Sequence, residues 1–146
     1  MDQRSAISGM SVRSKKIEDF NDSKDFFSKR DGKKFAGTHI LLDLWDAQNI
    51  DDQIFVEKTL KEAVKACEAK LLHMHLHKFG EGLGISGVAV LAESHISIHT
   101  WPERQFAAID IFMCGNCTPE NSLPIFQTYF TPKNMRTIVE LRGVID

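Results

Sequence analysis

Two stretches of strand character meet at Glu93-Ser94, and that junction constrains the chain more than any other feature. On its N-terminal side, Val88-Ala89-Val90-Leu91-Ala92 is almost continuously apolar, as a buried strand is. On its C-terminal side the pattern alternates. His95, Ser97 and His99 fall on one strand face and Ile96 and Ile98 on the other, until Pro102 closes the run. Ser94 is therefore held at a bend, next to a strand face that carries two imidazoles. Groups able to move protons stand where a core strand needs only hydrocarbon.

The rest of the chain divides into elements by periodicity. Thr38 to Trp45, after Gly37, is predicted as the first strand. Asp51 or Asp52 can cap a helix whose apolar positions are Ile54, Phe55, Leu60, Ala63, Val64 and Cys67, with Lys58, Lys61, Glu62 and Lys65 outward. Leu71 to Phe79 alternates, placing His73, His75 and His77 on one face and Leu72, Met74 and Leu76 on the other. Gly80-Glu81-Gly82-Leu83-Gly84 is a flexible connection to the strand from Ile85 to Ala92. Gln105 to Met113 is a further strand, with Cys114 sharing the face of Asp110. Thr118-Pro119 starts a second helix through Phe126 towards Phe130, Pro132 stops it, and Met135 to Leu141 is the last strand. The order β-α-β-β-β-β-α-β predicts an α+β two-layer sandwich, a mostly antiparallel sheet with both helices on one face. One helix layer leaves the other sheet face uncovered, which favours a partner such as a second copy of the chain.

At 146 residues a single domain is expected, spanning 37–146, behind a charged extension over 1–36. Within that extension Ile17, Phe20, Phe26 and Phe27 could form one weak amphipathic helix, giving a mobile start and then a docked turn or two. The net charge of −2, with no basic cluster alternating with aromatics, argues against nucleic acid as a partner. No apolar run approaches the roughly 20 residues of a membrane span, and the first residues lack a signal-peptide core, so a cytoplasmic location is expected. Three cysteines are not a secreted disulfide framework, and free thiols fit a reducing compartment.

Two minor chemistries can be read from the residues. His73, His75 and His77 could aim imidazoles at a metal, but the outer pair would have to lean strongly inward, and a polar strand face is the simpler reading, so no metal is expected. Cys114-Gly115-Asn116-Cys117 is a lone CxxC without a second Cys/His pair, which leaves Cys117 incidental.

The string from Ile85 to Glu103 (ISGVAVLAESHISIHTWPE), followed by Phe106 to Gly115 (FAAIDIFMCG), closely resembles the prokaryotic S-adenosylmethionine decarboxylase family. The likeness is densest from about His77 to Gly115 and looser over the rest of 37–143. It implies that family's sandwich fold, a homodimer or larger homo-oligomer, and a proenzyme that cuts itself between Glu93 and Ser94. The Ser94 hydroxyl would attack the Glu93 carbonyl, and His99, matching the processing base, would take the Ser94 α-proton so that the residue becomes a pyruvoyl cofactor. That ketone would form a Schiff base with S-adenosylmethionine and accept the electron pair left by CO2, giving the aminopropyl donor for spermidine and polyamine biosynthesis. Cys114 matches the proton donor. Phe79 stands where an aromatic would stack on adenine, Ser86 and His77 match positions near processing or substrate, and Glu103 would help hold the ligand.

The loop from Gly80 to Gly84 is one residue longer than the family's and carries Glu81, an acid not expected there. An added carboxylate would suit a more cationic amino acid, so a pyruvoyl decarboxylase of arginine or ornithine is the alternative enzyme. An unprocessed paralogue that only binds a partner, or a His-rich metal-binding protein, is the non-enzyme alternative.

Overall fold

The computed structural model describes residues 27–145. Strands are β1 (Ser28–Arg30), β2 (Lys33–Phe35), β3 (Gly37–Trp45), β4 (Leu71–Lys78), β5 (Ile85–Leu91), β6 (Ser94–Trp101), β7 (Phe106–Met113) and β8 (Asn134–Arg142). Helices are α1 (Gln53–Ala66) and α2 (Ser122–Phe130). The main sheet runs β4-β5-β6-β7-β3-β8, and all five neighbouring pairs are antiparallel. The two-layer α+β sandwich is thus as expected, with a sheet that is wholly antiparallel.

Alternation decides which side chains meet the helices. Ile40, Leu42, Leu44, Ile96, Ile98, Ala107, Ile109, Ile111 and Met113 form one buried layer with Val56, Leu60, Ala63 and Val64 of α1 and Phe126 and Phe130 of α2. Asp52 caps α1 by accepting a hydrogen bond from the Phe55 N–H at 3.1 Å. Ile54 does not reach the core as expected and is 84% exposed. Helical geometry explains this: Val56, Leu60, Ala63 and Cys67 recur at three- and four-residue spacing on the buried side, and Ile54 falls off that stripe. Leu72 is exposed too, because the β4 to β5 register shifts between Leu71 and His73. Nor does Thr118 cap α2: a short 3-10 turn over Pro119–Asn121 comes first, and the Ser122 hydroxyl donates to the Pro119 carbonyl at 2.6 Å. The helix ends at Thr131, left-handed at φ 41°, directly before Pro132.

The described end of the expected extension is docked, as a strand hairpin. β1 and β2 form a hairpin around Asp31-Gly32, whose φ values of 52° and 76° are those of a tight two-residue turn. Phe35 at its base is 1% exposed, and Ala36 N–H donates to the Arg142 carbonyl at 2.7 Å while Ile145 N–H donates to the Lys34 carbonyl at 2.9 Å. The hairpin therefore packs on the body that begins at β3, and the compositional boundary at 36/37 cuts across packed structure. The proposed helix through Ile17, Phe20 and Phe26 lies outside the described residues.

Phe35→Ala should cost about 3 kcal/mol, the usual loss for a buried phenylalanine. Urea unfolding followed by circular dichroism measures it, and a loss below about 1 kcal/mol would mean that the hairpin is only loosely attached.

Candidate active site

The Glu93-Ser94 junction is a two-residue connection, Ala92-Glu93, between paired Leu91 and Ser94. Glu93 takes φ 63°, a left-handed conformation that a side chain with Cβ adopts at a cost of about 1–2 kcal/mol. Ser94 is the first residue of β6 and is 9% exposed. The β6 to β7 register, His95 opposite Phe112, brings the first residue after β7 alongside it. That residue is Cys114. Its backbone N–H donates to Ser94 Oγ at 3.3 Å, its Sγ lies 3.8 Å from the same oxygen, and its thiol donates to the Glu93 carbonyl. Serine nucleophile, thiol and the carbonyl before the serine thus form one cluster. Burial pushes the Cys114 thiol up, the Ser94 hydrogen bond partly offsets this, and the Glu93 carboxylate adds to it. The group is protonated at neutral pH, as a donor must be.

A second cluster occupies the other end of β6, on the open sheet face. His99 Nδ1 and Ser86 Oγ are 3.0 Å apart, joined across the β5 to β6 ladder. They line a hollow of about 530 Å³ with Phe79, Leu83, Thr100, Trp101 and Glu103. Phe79 is 60% exposed and meets the His77 ring edge-on at 4.7 Å. The hollow's floor depends on Gly84, where a Cβ would stand 2.3 Å from the Thr100 carbonyl oxygen. Thr100 Oγ1 also accepts the Ile85 N–H at 2.9 Å, tying the glycine loop to β6.

Of the residues singled out in the sequence, Glu93, Ser94 and Cys114 are brought together, and so are Phe79, Ser86, His99 and Glu103, with His77 beside Phe79. The two groups are not brought together within one chain. Ser94 and His99 lie five residues apart along one strand, a separation of roughly 16 Å. Alternation also turns them to opposite faces, and among the described residues no imidazole hydrogen-bonds Ser94. The expectation that His99 stands near the Ser94 Cα therefore fails inside a single chain. Trp101 in the hollow was missed; its position two residues after His99 on the same alternating face was the available signal.

Glu81 does not line this hollow. It borders a separate one of about 410 Å³ with Asp51, Asp52, Gln53 and Lys78 at the start of α1. Among the described residues no three His, Cys, Asp or Glu side chains are grouped to hold a metal. Cys67 is a core thiol raised to about 11, chiefly by burial, and all three cysteines are free. Cys117 turns its Sγ to the Glu68 carbonyl at 3.9 Å.

A family model described as S-adenosylmethionine decarboxylase matches residues 38–143. A proenzyme of that name from Methanococcus vannielii is 49% identical over 116 residues, covering 77% of this chain and 94% of the relative. One from Thermomicrobium roseum is 42% identical over 113 residues, covering 77% and 97%. The crystal structure of the Aquifex aeolicus adenosylmethionine decarboxylase superposes with a TM-score of 0.69 at 32% identity, covering 77% of this chain and 94% of that one.

Alkylation of Cys114 with iodoacetamide in the uncut chain, read by mass spectrometry across pH, should show a midpoint above about 8.5, the value of a free thiol. Because the Ser94 hydrogen bond favours the thiolate, Ser94→Ala should move the midpoint further up. A wild-type midpoint at or below the free-thiol value would contradict the donor assignment.

Proposed function

The chain belongs to the S-adenosylmethionine decarboxylase family, and from that premise we propose that it is a proenzyme that cuts itself between Glu93 and Ser94 and then decarboxylates S-adenosylmethionine. One observation carries the proposal: the left-handed Glu93 with the Cys114 thiol on its carbonyl, directly before a buried serine. Ser94 Oγ attacks the Glu93 carbonyl carbon, and the amide becomes an ester as the Ser94 nitrogen leaves. Rupture of this peptide relieves the backbone strain at Glu93, and the thiol stabilises the oxygen as it gains charge. Removal of the Ser94 α-proton then expels the Glu93 carboxylate, and hydrolysis of the resulting dehydroalanine releases ammonia and leaves a pyruvoyl end on the segment 94–146.

The base for that proton is His99 of a second copy. The sheet face opposite the helices carries Leu41, Trp45, Val90 and Trp101, each more than a third exposed, and no described element covers it. Two chains stacked face to face about a two-fold axis, strands antiparallel, set the His99 end of one over the Ser94 end of the other. Each site is then built from one chain's Ser94 and Cys114 and its partner's Ser86, His99 and hollow, so the enzyme is an obligate homodimer at least.

The pyruvoyl ketone supplies an electrophile for the substrate amine and a sink for the electron pair left by CO2. Cys114 returns the proton to the substrate α-carbon. Phe79 stacks on the adenine ring, flanked by His77, and Glu103 offers its carboxylate to the substrate's cationic end. The product is the aminopropyl donor of spermidine synthesis, made in the cytoplasm. Arginine or ornithine loses its support as substrate, since Glu81 borders a different hollow from Phe79 and His99.

Intact mass should show two pieces divided between Glu93 and Ser94, while Ser94→Ala stays whole. His99→Ala should also fail alone, yet be cut when co-expressed with Ser94→Ala, because a mixed dimer restores one complete site. A His99→Ala chain that stays whole in that mixture would rule out the shared site. For the substrate, CO2 release is compared for S-adenosylmethionine, arginine and ornithine, and release from only the free amino acids would overturn the assignment. Phe79→Ala should weaken substrate capture by roughly 0.5–1.5 kcal/mol beyond the lost area.

A further inference from the structure

The β1–β2 hairpin precedes the segment that the family model matches, yet it reaches the loop that carries Cys114. Ser28 Oγ donates to the Gly115 carbonyl at 3.0 Å. Arg30 donates through Nη1 and Nη2 to the two carboxylate oxygens of Glu120 at 2.8 and 3.5 Å. Ser28 and Arg30 are alternate residues of β1, so one face of the hairpin delivers both contacts.

The loop has reason to need them. β7 ends at Met113, so Cys114 lies beyond its last described strand residue, and Gly115 follows at φ 67° with open space where a Cβ would stand. The loop's inner side is fixed to the end of α1, with Thr118 N–H donating to the Cys67 carbonyl at 3.2 Å and Asn121 Nδ2 donating to the Ala66 carbonyl at 3.2 Å. Those bonds hold residues 118–121. The stretch next to Cys114 has Ser28.

We propose that the β1–β2 hairpin is a clamp on the Cys114 loop, with Ser28 and Arg30 as positioning residues that keep the thiol over Ser94 during protonation. Anchored at its base by Phe35 and by the backbone bonds to Arg142 and Ile145, the hairpin grips the loop at Gly115 and again at Glu120. Partial burial pushes the Glu120 carboxyl upward, but its bonds to Arg30 and to its own backbone outweigh this and hold it below its usual range, so the grip is ionised at neutral pH. The role in protonation rests on the reading of Cys114 as proton donor. A misplaced thiol lets water protonate the cofactor carbon instead of the substrate α-carbon; hydrolysis then releases an aldehyde and leaves alanine where the pyruvoyl end had been.

The clamp is tested first in full-length Ser94→Ala protein, which needs no cleavage and no turnover. Adding Arg30→Ala or Ser28→Ala should raise the alkylation rate of Cys114 by about threefold or more while that of buried Cys67 is unchanged, the mark of local rather than global opening. The swap Arg30→Glu with Glu120→Arg should return the rate towards that of the parent. Unchanged Cys114 alkylation, or an equal rise at Cys67, overturns the clamp. In self-processed enzyme that does not carry Ser94→Ala, Arg30→Ala should lower kcat with KM held, and N-terminal alanine should accumulate per turnover; loosened Cys114 without either change overturns the role in protonation. Should unaltered enzyme neither cut itself nor release CO2, the proposed function fails, while the alkylation ratios still decide the clamp.

Discussion

Cross-strand register between β6 and β7 is the constraint on which the site depends. His95 opposite Phe112 and Ile96 opposite Ile111 mean that the residue before β6 and the residue after β7 emerge at the same end of the sheet. A slip of one residue would move Cys114 away from Ser94 and turn Ile96 and Ile98 out of the core, so the same hydrophobic alternation that stabilises the fold aligns the reactive groups. The ladder and the core under it bring the thiol to the Ser94 end of the sheet, and contacts on the loop beyond Met113 hold it there.

Polar groups are sorted by the same alternation. All six histidines, at 39, 73, 75, 77, 95 and 99, fall on the sheet face that the helices leave open. Asp110 is among them, 3.6 Å from His39 Nε2 and within 3.5 Å of the Ser97 hydroxyl. A solvent-facing sheet needs polar residues there but not imidazoles flanked by Trp45, Trp101, Leu41 and Val90. That mixture of apolar area and imidazole rings is what the proposed second copy would cover.

Most strands were legible because their period of two is unambiguous: β6 and β7 match their predicted faces residue by residue. Helix entry was less so. The first turn of α1 exposes Ile54, which hydropathy alone assigns inward, and Thr118-Pro119 opens a 3-10 turn instead of α2, a difference of three residues that local propensity does not resolve. The β1–β2 hairpin was hidden by composition, since a docked strand of Ser-Lys-Arg looks like a solvated tail; Asp31-Gly32 was the turn signal that marked it. In the site, residue types were readable but their grouping was not. Ser94 and His99 sit close in sequence, and only the extended geometry of a strand reveals that proximity in number is distance in space.

The strand order carries one more consequence. A break at the Ala92-Glu93-Ser94 turn would leave β1 to β5 and α1 on one polypeptide and β6, β7, α2 and β8 on the other. In the sheet β3 lies between β7 and β8, so the longer piece threads a strand into the middle of the shorter one while β5 pairs with β6 beyond. Neither piece owns a contiguous core, and separating them means tearing three ladders at once. The scission would be silent to the native shape yet change what unfolding means: a chain that refolds by itself becomes two that must find each other, and its durability passes from an equilibrium to the rate at which the interleaved sheet first opens.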